Sequence, residues 1–225
     1  ITVLVGVLSA YRYSPGGRGP GADVHDAVGL ALRGIELAQL AVGVLGVLAT
    51  AGEYTTGMIR STFAAVPKRL PVLWSKSLIY FGVVLVVATV GAFASFLGGE
   101  HFLSGKAIAL SLSSSGVLRS LLGAGVYLAL VAVFGAGLGM LVRSVAGGIS
   151  LVVGTLMLLP VLLDILPTNW RTDVSPYLPG NAGSSIYTLH TDSTVLSPGS
   201  GLWVFVGWVA VVLAAAAYRV KRSDS

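Results

Sequence analysis

The sequence predicts an all-α membrane protein with six transmembrane helices, the first of them truncated, and a short amphipathic helix between the second and third. Three observations carry this prediction. Of 225 residues, 55% are hydrophobic and 10% charged, whereas about a quarter are charged in a soluble domain. Mean hydropathy is +0.88. The few charges fall between long apolar runs, each close to the roughly 20 residues that a helix needs to cross a ~30 Å hydrocarbon layer.

The opening "ITVLVGVLSAY", 1–11, is 11 uncharged residues, about 16 Å of helix. It reads as the tail of a first span whose start is missing. The second span is placed at 28–50, with Arg33 and Glu36 in its first third. The third, 75–98, is built on the 23 uncharged residues between Lys76 and Glu100. The fourth, 119–142, occupies another 23 between Arg119 and Arg143, and the fifth, 146–166, the 20 between Arg143 and Asp164. The sixth, 201–218, sits in the 26 before Arg219. Residues 167–200 are rich in Pro, Gly, Asn, Ser and Thr and form the largest outer segment. The whole chain, 1–225, is one transmembrane domain.

Charge orients the helices. Arg60, Lys68, Arg69, Lys76, Arg143, Arg219, Lys221 and Arg222 fall on one side in short segments. Arg12, Arg18, Lys106, Arg119 and Arg171 fall on the other, in longer segments that also hold Asp23, Asp26, Glu100, Asp173 and Asp192. Basic residues concentrate on the cytoplasmic side, so both termini are expected there, in a multi-pass protein of the plasma membrane. The net charge of +5 is spread over ends and loops without the basic stripe a nucleic-acid binder shows.

Enzyme constellations are sparse. There is no HExxH and no GxSxG. Without cysteine, disulfides and thiolate chemistry are excluded. His25, His101 and His190 stand in three separate outer loops with no ligand spacing, so no metal site is expected. The stretch "GEHFLSGKA", 99–107, has five residues between its glycines and Ala after Lys106. A phosphate loop needs four, then Ser or Thr.

Two intramembrane features have competing readings. Arg33 and Glu36, three apart, share a helical face, and 16 uncharged residues, about 24 Å of helix, separate Glu36 from Glu53. They form either a pair under the outer headgroups or, with Gln39 one turn deeper, an intramembrane polar path. Gln39 alone would equally serve an interhelical hydrogen bond. "GAGLG" puts Gly135 and Gly139 one turn apart, a small-residue face suited to close packing within the chain.

Between spans two and three, residues 53–66 carry a helical signature. Glu53 sits in a first turn, and Lys68 and Arg69 follow the end, as the helix dipole favours. Pro67 stops the helix, and Pro71 resets direction before Trp74 reaches the bilayer. Tyr54, Met58, Ile59, Thr62, Phe63 and Val66 make one apolar stripe. Such a helix lies along the inner membrane face, either facing a cytoplasmic partner or simply joining two spans over anionic lipid.

Residues 39–76, "QLAVGVLGVLATAGEYTTGMIRSTFAAVPKRLPVLWSK", resemble the second span and first cytoplasmic loop of type-2 ABC transporter permeases. The pattern E-Y-x-x-G-x-I-R-x-T is met by Glu53, Tyr54, Gly57, Ile59, Arg60 and Thr62. "YLPGNAGSSIYT", 177–188, is similar to that family's outer segment before the last span.

The resemblance implies a permease subunit of an ABC exporter, paired with a second permease as a homo- or heterodimer and with separate ATPase subunits. This chain would hold no cofactor and catalyse nothing, since ATP and magnesium bind the ATPase. Residues 53–66 would be the coupling helix, docking through Glu53, Tyr54, Gly57, Met58, Ile59, Arg60 and Thr62. Arg60 would contact the ATPase and Glu53 would anchor the helix start. Two other classes stand beside it: an integral membrane enzyme acting on lipid, and a non-transporting interaction or immunity protein.

Overall fold

A computed structural model of the chain describes residues 1–12, 27–55, 57–58, 69–103, 111–163, 165, 173–189 and 195–222. Every regular element among them is helical. In chain order these are α1 (Thr2–Tyr11), α2 (Ala27–Leu32), α3 (Ile35–Thr55), α4 (Arg69–Leu103), α5 (Val117–Val142), α6 (Val145–Val153), α7 (Leu159–Leu163), α8 (Pro179–Ser184) and α9 (Pro198–Arg222). A π-helical turn, Gly154–Leu158, joins α6 to α7.

Among the described residues, five stretches are long and apolar enough to cross a membrane: Ala27–Thr55, Pro71–Glu100, Val117–Val142, Val145–Leu163 and Pro198–Arg222. α1 is shorter, so a sixth span rests on the sequence reading of 1–11. Among the described ends, Trp74 and Trp203 are exposed, as interfacial rings are.

α5 is the axis of the bundle. Its apolar window is 83% buried, against 11% for α4. α3, α4, α9 and α6 pack around it. The composition of α5 permits this, because Gly and Ala let neighbouring backbones approach closely. On the α3 side, Gly43, Gly46 and Thr50 meet Ala132, Gly135, Ala136 and Gly139. A Cβ on Gly46 would collide with the Ala132 carbonyl, and one on Gly135 with the Gly43 backbone. Thr50 adds a bond from its hydroxyl to the Ala136 carbonyl at 2.9 Å. The "GAGLG" glycines therefore serve packing within the chain.

Four boundaries differ from expectation, each for a local reason. The second span starts at Ala27 and is interrupted at Arg33–Gly34. There the Ser95 hydroxyl of α4 donates to the Ala31 carbonyl at 2.7 Å, supplying a donor where the helix ladder breaks. Thr2 of α1 lies against Gly34, which has no side chain to hold it off. The third span begins at Arg69 and carries Pro71 inside the helix. Helical residues stand on both sides of Pro71, so it does not reset the chain direction.

The fifth span ends at Leu163 and contains the π turn. Pro160 cannot donate to Leu156, and Gly180 lies against that Leu156 carbonyl. The segment expected to be outer, 167–200, is not simply loop: α8 and its flanks bury Leu178, Pro179, Gly180, Ala182, Gly183, Ser185 and Ile186. α9 begins at Pro198, three residues earlier than expected.

Replacing Ser95 by Ala is expected to lower stability by about 1 kcal/mol, because it removes one donor from an interrupted helix. Thermal unfolding in mild detergent checks this. An unchanged midpoint would show that the break does not need Ser95.

Candidate functional site

The sequence-predicted site residues fall into two places, one at each end of α3. At the basic end, Glu53 and Tyr54 stand on the last turn of α3. They do not open a separate helix at 53. Nothing in "AGEYT" interrupts the helix, and Gly57, with φ +75°, is the first residue in left-handed backbone. Gly57 and Met58 are both exposed. Ile59, Arg60 and Thr62, with the rest of the 59–66 stretch expected to be helical, lie outside the described residues.

The Glu53 carboxylate forms an ion pair with the Lys76 ammonium of α4. Their side chains are only 25% and 17% exposed, so water screens the pair less than it would a surface pair. Beside it, the Arg143 guanidinium sits over the Tyr54 ring, 5.2 Å from its centre. Arg143 closes α5 in left-handed backbone, φ 60°, and its N–H donates to Gly139. Ser144 then caps α6 by accepting from the Gly147 N–H at 3.3 Å. Arg219 of α9 donates to the Leu141 carbonyl, placing a cation at the negative end of α5. Four helices thus meet at this end through charged side chains.

Toward the other end, Arg33 lies in the turn between α2 and α3, and Glu36 is exposed in the first turn of α3. Gln39 accepts a hydrogen bond from the buried Tyr127 hydroxyl of α5. Tyr127 also contacts the rings of Tyr187 and Phe205, each centred 5.4 Å away. The missing side chain of Gly183 makes room for it. Burial, and then the charge of Glu36, push the Tyr187 phenol well above its ordinary range. Tyr187 therefore stays neutral at any physiological pH. Gln39 is engaged with Tyr127 across α3 and α5, and Glu36 stands one turn away, exposed, with its charge acting on Tyr187.

Sequence reasoning did not single out Lys76 or Arg143 as side-chain partners, nor Tyr127 and Tyr187. The signals were faint: one phenol in an apolar run, and charges already explained by topology.

The basic end thus combines an ion pair, a cation–π contact and a capped helix start. No protein-family model, curated protein or solved structure matches the chain.

Proposed function

We propose that this chain is the membrane-spanning permease subunit of an ATP-driven exporter of the type-2 ABC class. It would move a hydrophobic or amphipathic substrate out of the cell, with a second permease and separate ATPase subunits that hold ATP and magnesium. The supporting observation lies at the basic end. The motif-bearing connection between α3 and α4 is rooted on helices joined there by Glu53 and Lys76, and α3 packs along the central helix. A force applied to that connection has a direct path into the bundle, which is what coupling ATPase closure to helix displacement requires.

Purification from native membranes tests this reading. The unsubstituted chain is expected to bring a P-loop ATPase with it. Arg60→Glu is expected to lose most of that association while still inserting in the membrane, because the charge reversal sits in the docking segment. Full ATPase association and transport in Arg60→Glu would remove the proposed role of the segment. Isolation without any ATPase would favour a non-transporting membrane protein.

A further inference from the structure

We propose that Glu53, Lys76, Tyr54 and Arg143 are positioning residues that make the basic ends of α3, α4 and α5 move as one body. The consequence for transport rests on the permease reading above; the joint itself does not.

The geometry carries the inference in three steps. First, α3 and α4 follow one another in the chain, and each packs on α5, so a direct link between their basic ends has to come from side chains. The described tie is the Glu53–Lys76 pair, placed two residues before the end of α3 and seven after the start of α4. Second, among the described residues α4 packs on α5 and α1 rather than on α3, so side chains and not helix packing link its start to the end of α3. About 10 Å of α4, its first two turns, precedes Lys76. Third, Tyr54, next to Glu53, carries the Arg143 guanidinium over its ring. Arg143 in turn ends α5 and precedes α6. Two adjacent residues of α3 therefore hold two different helices, one by charge and one by a ring face.

The partners respond differently to loss of Glu53. An unpaired ammonium beside an apolar helix surface lowers its energy by reaching toward the headgroups. Lys76 released in this way would draw the start of α4 from α3. The glycine seam, the Thr50 bond and the Arg143–Tyr54 contact do not depend on that charge and would keep α3 on α5. Neutralising Glu53 should thus open the α3–α4 gap specifically.

The test uses the full chain in lipid nanodiscs. Because the protein has no cysteine, spin labels can be placed at Thr55→Cys and Ser75→Cys without a competing site. Both positions are exposed. Pulsed electron resonance then reads the distance across the joint. A narrow distribution is expected in the labelled parent, and its loss in Glu53→Gln and in Lys76→Gln. The exchanged pair Glu53→Lys with Lys76→Glu should recover the narrow distribution, which a change acting through shape alone would not do. Tyr54→Leu keeps apolar bulk, and it should leave the 55–75 distance narrow while widening a 55–144 distance measured from Ser144→Cys.

An unchanged 55–75 distribution in Glu53→Gln would overturn the proposal. So would an exchanged variant no better than its single members. If either single variant fails to give monodisperse protein, the exchanged pair and Tyr54→Leu still decide the matter. None of these readings needs an ATPase or a substrate. Failure of the parent to bring an ATPase would sink the permease reading and leave the joint standing or falling on the distances alone.

Discussion

Gly135→Leu is expected to destabilise the folded protein severely. The Cβ alone would meet the carbonyl oxygen, carbonyl carbon and Cα of Gly43, all backbone atoms that cannot swing away. Overpacking a well-packed core costs about 1–3 kcal/mol and sometimes more. The upper end applies here, because α3 and α5 would have to separate along their length. That separation also breaks the Thr50 to Ala136 bond. Total stability is only about 5–15 kcal/mol, so one such change removes a large share.

Gly207→Leu is the control. It has nothing within 4 Å of its would-be Cβ and gains helix propensity. Size-exclusion profiles and thermal midpoints in detergent should show severe loss for Gly135→Leu and little for Gly207→Leu. Equal behaviour of the two would mean that α3 and α5 do not share this seam.

The second large effect concerns Tyr127. Truncation to Ala should cost about 3–5 kcal/mol, as for other large-to-small changes of buried aromatic rings. The ring fills the space between Gly183, Tyr187 and Phe205, and α8 would lose its floor. Tyr127→Phe keeps the ring and removes only the bond to Gln39. Hydrogen bonds between membrane helices average about 0.6 kcal/mol and reach about 1.7, so the Phe variant should be several-fold milder. Denaturant titration of both variants separates the contributions. A Phe variant as damaged as the Ala variant would make the hydrogen bond to Gln39, rather than ring packing, the larger contribution of Tyr127.

These two positions also mark how far the sequence could be read. The small-residue face at Gly135 and Gly139 was legible, because spacing alone places both on one side of a helix. Its partner, Gly43 to Thr50 on α3, was not, since nothing local says which helix lies opposite. Gln39 was visible as a polar residue in a span, but its acceptor role depends on Tyr127, 88 residues away. The helix interruption at Arg33–Gly34 had only a glycine as its signal, and the Ser95 that serves it comes from another helix. Glu53 shows the same limit. Its charge suited a helix start as well as a helix end, and only the neighbouring Lys76 and the left-handed Gly57 decide between them.

By itself the sequence determined that the chain is helical, apolar and divided into spans at its charges, because the hydrocarbon layer excludes charge and its thickness sets a length. It could not rank the spans. Pro71–Glu100, Val117–Val142 and Val145–Leu163 share a mean window hydropathy of 2.2, yet their windows are 11%, 83% and 17% buried. Lipid tails are as apolar as a packed interior, so hydropathy cannot tell a helix that faces lipid from one that faces protein. Close approach between backbones makes that distinction, and only the tertiary structure decided that α5 is the axis and that the charged ends of α3, α4 and α5 meet.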